Sequence, residues 1–283
     1  MHSLAVQRIH SAVLGPVLAA LIMGAAPGLE LDGNFVQGGL ALGRVLPGSE
    51  VEFDGAAVRV SDDGNFVIGF GRDEGAKVDI TVRHPDGRIE KQSIAVKSRQ
   101  YDIQRIDGLP PKKVTPPPET MARIRKEIRL VKNARARDLA RTDFLAGFRW
   151  PARGRISGVY GSQRVLNGEP RRPHFGVDIA APVGTPVRAP APGLVTLAQP
   201  DLYFSGGTII IDHGHGLSSS FLHLSALAVK VGDVVTTDTV IGEIGATGRA
   251  TGPHLDWRMN FKERRLDPQL LVGAPPSLDN DQK

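Results

Sequence analysis

The 283-residue chain contains no cysteine. That absence excludes disulfides, thiolate zinc sites, a cysteine nucleophile and an acylated-cysteine lipid anchor. Any metal must therefore be held by His, Asp or Glu. No Gly-x-Ser-x-Gly elbow is present, which leaves a serine hydrolase of that kind without support. A helix-turn-helix, a zinc finger and an aromatic-basic platform are also missing, so nucleic acid is not an expected partner. Beyond the first thirty residues no apolar run approaches the roughly 20 residues of a membrane span. No stable membrane span is expected, and the remainder should be soluble.

Hydrophobic residues make up 41% of the chain and charged residues 23%, the balance of a folded protein rather than a collagen-like or disordered one. The length suits two domains with connecting pieces. Gly (33) and Pro (21) are abundant and favour turn-rich β structure. A net charge of +5 suits an anionic partner such as cell wall, membrane surface or nucleic acid, without choosing among them. The first residues have the pattern of an export signal: Arg8, an apolar run from Ala12 to Ala26, and small residues Gly24, Ala25 and Ala26 before a cut. A signal peptide over 1–28 predicts a protein exported to the periplasm or cell envelope.

From residue 29 to 109, short apolar alternations (Val51/Phe53, Val58/Val60, Phe66/Ile68/Phe70, Val78/Ile80/Val82) are separated by Asp54-Gly55, Asp63-Gly64 and Pro85-Asp86-Gly87. This predicts a small antiparallel β-sandwich, read as a spacer or binding module. Pro110-Pro111 and Pro116-Pro117-Pro118 mark a stiff linker within 110–147. After it, Glu119 to about Phe144 reads as a helix with an apolar stripe of Met121, Ile124, Ile128 and Val131. Its other faces carry Arg123, Arg125, Lys126, Arg129 and Lys132. The helix either lies on an anionic polymer or docks by its stripe with a solvated basic face; the second reading is preferred. Residues 148–273 form a second Gly-rich β segment, with strands expected over Thr208–Ile211, Ser218–Leu222 and Val240–Ile244. The fold class is thus mainly β, ending in a polar tail over 274–283.

Five of the eight histidines (His174, His213, His215, His223 and His254) fall in that second segment. His174-x-x-x-Asp178 pairs an imidazole with a carboxylate that can reach one ion if a strand end turns them together. His254-Leu-Asp256 puts two polar side chains at i and i+2, on one face of a strand. His213-Gly-His215 is a competing pair, though its interleaved glycines suggest a hairpin turn. Tyr160, Arg164 and Arg249 are candidates to line a cleft.

In order and spacing, His174-x-x-x-Asp178, Phe221-Leu-His223-Leu and Thr251-Gly-Pro-His254-Leu resemble the LytM/lysostaphin-type zinc endopeptidases, across most of Ile156 to Trp257. The resemblance implies a zinc-dependent peptidase acting on peptidoglycan peptides. His174 and Asp178 match the first two zinc ligands; His223 and His254 match histidines that orient or deprotonate the attacking water and stabilise the transition state. The family's third ligand is a histidine where this chain has Asp256. An aspartate can ligate zinc at about 2.0–2.2 Å. Two carboxylates, however, would cancel the +2 of the ion and weaken its activation of water. Harder oxygen donors would also admit Mn2+ beside Zn2+. The rival expectation is a weakened relative that binds and activates cell-wall amidases.

Overall fold

The computed structural model describes residues 28–106 and 118–275. Residues 1–27 of the expected signal over 1–28 and most of the expected Pro-rich linker lie outside the described residues, as does nearly all of the polar tail. No helix among the described residues is long and apolar enough to cross a membrane.

The N-terminal alternations become β1 (Glu30–Gly33), β2 (Leu40–Arg44), β3 (Glu50–Phe53), β4 (Ala56–Val58), β5 (Asn65–Gly69), β6 (Lys77–Arg83) and β7 (Ile89–Ala95). They form two antiparallel sheets, ordered β1-β2-β5 and β4-β3-β6-β7. The period of two decides what is inside: Val78, Ile80 and Val82 of β6 are buried while Lys77, Asp79 and Arg83 are exposed. Phe53 of one sheet meets Phe70, just past β5, edge to face at 5.9 Å between ring centroids. The chain then runs through β8 (Ile103–Ile106) to α1 (Met121–Arg135), the single α-helix among the described residues.

The second segment contributes β9 (Arg155–Gly158), β10 (Gln163–Leu166), β11 (Glu169–Pro170), β12 (Val177–Ala180), β13 (Pro186–Arg188) and β14 (Gly193–Leu202). It continues with β15 (Gly206–Gly214), β16 (Leu217–Leu227), β17 (Val234–Val235), β18 (Val240–Ile244), β19 (Leu255–Phe261) and β20 (Arg264–Leu266). One large sheet runs β17-β14-β15-β16-β19-β12-β9. β15 is buried along its whole length, because both of its faces are covered. On one side Ile209 and Ile211 enter the main core; on the other Ile210 packs with Leu197, Leu202 and Ala134 of α1.

The helix differs from its expected form. It stops at Arg135, nine residues before Phe144 (144 − 135), and the stripe that docks is Ile124, Val131 and Ala134. Ile128 points outward at 58% exposure, because the face that docks onto β14 and β15 runs through Ile124, Val131 and Ala134 and leaves residue 128 to one side. The basic residues 123, 125, 126, 129 and 132 face solvent, and Arg123 pairs with Asp201 and Glu127.

The N-terminal sheets and the large sheet share one continuous apolar core, in which Phe66 and Ile80 belong with Trp257 and Leu266. Gly69 lies so close to Phe261 and Leu266 that a Cβ there would sit 2.9 and 2.8 Å from their side chains. Polar ties flank this contact: Arg99–Asp267 at 2.8 Å, Arg264 to Glu74 and Asp54 at 2.8 Å each, and the Asn34 amide donating to the Leu270 carbonyl. β8 also pairs in parallel with β10, so the chain leading out of the sandwich is stitched to the edge of the second segment.

Candidate metal centre

Three neighbouring strands build the site. Asp178 on β12 is the direct antiparallel partner of Asp256 on β19, and Asp256 is in turn opposite Leu222 on β16. Directly opposed residues have Cβ atoms about 4.5–5.5 Å apart, so register alone sets two carboxylates side by side. His174 approaches from the lead-in to β12. His223 follows Leu222, and His254 immediately precedes β19, held there by a bridge to Gly245.

One ligand atom each from His174, Asp178 and Asp256 all lie within 4.8 Å of one another. His174 Nε2 is 3.1 Å from Asp178 Oδ1 and 3.6 Å from Asp256 Oδ1. The first approach is poorly aligned as a hydrogen bond, and these two buried atoms have no hydrogen-bond partner. Two ligands on a tetrahedral zinc, each about 2.1 Å from the ion, are about 3.4 Å apart. The observed separations bracket that value, and an imidazole with two carboxylates is a donor set suited to zinc. The residues present therefore fit a divalent ion.

All three imidazoles are oriented in the same way. Nδ1 of His174 faces the Val159 carbonyl at 3.2 Å, Nδ1 of His223 the Thr247 carbonyl at 2.9 Å, and Nδ1 of His254 the Gly252 carbonyl at 2.8 Å. A carbonyl only accepts, so each Nδ1 carries a proton and each ring turns Nε2 away from that carbonyl. The His223 and His254 rings lie 4.8 Å apart, and His254 Nε2 is 3.9 Å from Asp178 Oδ1. His223 holds its place at φ 66, a left-handed conformation uncommon for a residue with a Cβ.

Two glycines make room for the carboxylates. A Cβ on Gly158, the β9 partner of Asp178, would lie 2.2 Å from Asp178 Oδ2. A Cβ on Gly176 would lie 2.6 Å from Asp256 Oδ1. Beside them, Arg258 clamps Asp256, with Nη2 donating to Oδ2 at 2.5 Å and Nε reaching Oδ1 at 2.9 Å. Sequence reading missed Gly158, Gly176 and Arg258. The available signal was alternation, since Asp256 and Arg258 fall at i and i+2 on one face.

The electrostatics follow from this crowding. Burial pushes the His174 imidazolium down, but Asp178 and Asp256 outweigh it and raise its pKa to about 10. Burial pushes the Asp256 carboxyl up, and Arg258 with His174 reverses this and holds it well below the usual carboxylate range. Burial lowers His223, with the Thr247 carbonyl opposing. A metal ligand must be neutral imidazole, so at pH 7 an incoming ion should displace about one proton from His174. Apparent affinity is then expected to rise about tenfold per pH unit and level off near pH 10. Calorimetry in buffers of different ionisation enthalpy reads the proton directly; no release at pH 7 would contradict the assignment of His174. Without metal, the raised value stabilises the fold fully below about pH 6.5, and that contribution is lost as pH climbs towards 10.

The other candidates stand elsewhere. His213 is fully buried between the Pro192 carbonyl at 2.6 Å and Ser219 Oγ at 2.7 Å. His215 and Gly216 both have positive φ, as a two-residue hairpin turn joining β15 to β16 requires, and the His215 ring packs on Phe144. Neither belongs to the cluster of ligand atoms. Tyr160 is buried and donates its hydroxyl to the Arg265 carbonyl, a prop rather than a cleft wall. Arg249 lies over Phe204 at 4.9 Å, and Arg164 is exposed on β10.

A sequence model described as Peptidase family M23 matches residues 172–268. The "DD-carboxypeptidase/endopeptidase Mpg" of Neisseria meningitidis is 38% identical over 112 residues, 40% of this chain and 26% of that protein. The "Peptidoglycan DD-endopeptidase ShyA" of Vibrio cholerae is 39% identical over 95 residues, 34% of this chain and 22% of that one. The matched stretch thus spans about a quarter of the length of these curated relatives. A solved Pseudomonas aeruginosa structure assigned to peptidase M23 superposes with a TM-score of 0.64 at 30% identity, covering 84% of this chain and 95% of that one. With the likeness running through both the sandwich and the ligand-bearing sheet, the chain belongs to peptidase family M23.

Proposed function

We propose that this chain is an exported zinc metalloendopeptidase that hydrolyses peptide cross-links of peptidoglycan during cell-wall remodelling. The observation that carries the reading is the convergence of His174, Asp178 and Asp256 beside two further imidazoles, 4.8 Å apart between ring centroids, each held at Nδ1 by a backbone carbonyl. His174, Asp178 and Asp256 would hold the ion. Zinc bound there supplies a Lewis acid for the scissile carbonyl and a water. His223, neutral because burial depresses its pKa, is able to take the proton of the attacking water at Nε2. His254, its Nδ1 fixed on the Gly252 carbonyl, is placed to hand a proton from Nε2 to the leaving amine or to donate to the oxyanion. The relative ShyA is named a peptidoglycan DD-endopeptidase, which supports that substrate here; the expected export signal supports the periplasm or envelope as location.

Incubating purified wall with the zinc-loaded protein is expected to create new amine ends, and a chelator should stop their release. A folded protein that takes up zinc yet frees no amine ends would overturn the peptidase reading in favour of the amidase-binding regulator.

A further inference from the structure

Arg258 has no role in the reading above, although it touches that site more closely than any other cation. It is reached by alternation along β19, two residues beyond Asp256, so these two side chains leave the strand on one face, with His254 two residues before Asp256 at the strand's entrance. Its guanidinium takes both oxygens of Asp256: Nε is 2.9 Å from Oδ1 and 3.0 Å from Oδ2, and Nη2 is 2.5 Å from Oδ2. The Arg258 stem runs over Gly176, where a Cβ would meet its Cγ at 2.7 Å and Asp256 Oδ1 at 2.6 Å. Gly176 therefore leaves the space that the pair occupies.

Charge counting shows why such a clamp matters. Asp178 and Asp256 are direct cross-strand neighbours, and like charges so placed repel. With a neutral His174 the donors carry two negative charges, enough to cancel a dication and blunt its pull on a carbonyl or water. Counting Arg258, the set carries one. A lysine would not serve as well, because its ammonium is a point charge that cannot span two carboxylate oxygens in one plane.

We propose that Arg258 is a positioning residue of the metal centre, a guanidinium clamp that fixes Asp256 and cancels its charge, so that the pair acts on the ion as one neutral ligand. The proposal rests on the metal-site reading above. It has a consequence with an unusual sign: removing the arginine tightens the grip on zinc, because Asp256 regains its full charge. Converse behaviour is expected when Asp256 is replaced by a neutral ligand, for then the guanidinium faces the ion without a counter-charge.

Zinc affinity of the full chain, measured at pH 7 by competition with a chromogenic chelator, tests this with three variants. Arg258→Met keeps the bulk of the stem and removes the charge; it is expected to bind zinc about tenfold or more tightly than the unaltered protein. Asp256→His alone should bind about tenfold or more weakly, and Asp256→His with Arg258→Met should return to within severalfold of the unaltered protein. A purely structural ion pair predicts instead that Arg258→Met binds zinc equally or less well. That result, or Asp256→His binding at least as tightly as the unaltered protein, overturns the proposal. If Arg258→Met fails to fold by circular dichroism, the Asp256→His measurement still decides. Absence of zinc uptake by the unaltered protein would defeat the metal-site reading and this proposal together; uptake with the wrong direction of change defeats this proposal alone.

Discussion

Asp178→Asn is expected to lose zinc on dialysis and to release amine ends from purified wall about 10³-fold more slowly, or worse. The change keeps the shape that Gly158 accommodates and removes a charge. A Lewis acid contributes several kcal/mol to such a reaction, and each 1.36 kcal/mol is a decade in rate. Two readouts keep the result clean. Metal content by elemental analysis should fall from about one ion per chain to near zero, while circular dichroism stays native. Full zinc occupancy with a rate within tenfold of the unaltered protein would remove Asp178 from the ligand set.

The second large effect belongs to the pair of imidazoles. His254→Gln and His223→Gln are each expected to lower kcat by about 10²–10⁴-fold while zinc stays bound. Retained metal separates these variants from Asp178→Asn, because neither ring is needed to complete the donor set. The two losses should not add in full, since the two groups act as a unit on one reaction. Burial of His223 lowers its pKa, so it stays unprotonated as pH falls below 6.5, and activity should persist there until the depressed value is reached. Only the variant lacking His223 should lose that acidic limb from its pH–rate profile. Loss of zinc from either variant would recast that histidine as a ligand.

Much of the strand content was legible because burial on one face leaves a period of two. Val240–Ile244 was expected as a strand and forms one, and Thr208–Ile211 and Ser218–Leu222 fall inside β15 and β16. The helix was legible as a helix and its docking stripe was not. Ile128 fits a 3.6-residue pattern as well as Val131 does, and only the position of Leu197, Leu202 and Ile210 decides which is covered.

At the site, the resemblance supplied the names of the five side chains and could not supply their arrangement. The facing of Asp178 by Asp256 depends on the pairing of strands far apart in sequence, which no local pattern reports. The expectation that two carboxylates would simply cancel a dication omitted Arg258. Its relevance appears once Leu255–Phe261 is known to be extended, because only then do residues 256 and 258 share a face. Gly158 and Gly176 were invisible for a related reason: in sequence they resemble any turn glycine, and in the fold they are the space into which two carboxylates fit.

The continuous core described above bears on how far this site can travel. The stretch that matches the family begins at Arg172, and two of the site's supports come before it: the Val159 carbonyl that sets the His174 ring, and Gly158 opposite Asp178. A third, the floor at Gly69 under Phe261 and Leu266, belongs to the N-terminal sheets. A transplant of 172–268 alone would thus carry the ligands away from their scaffolding, with apolar residues of β19 and β20 laid bare. In this protein the smallest heritable unit of the chemistry is larger than the motif that advertises it.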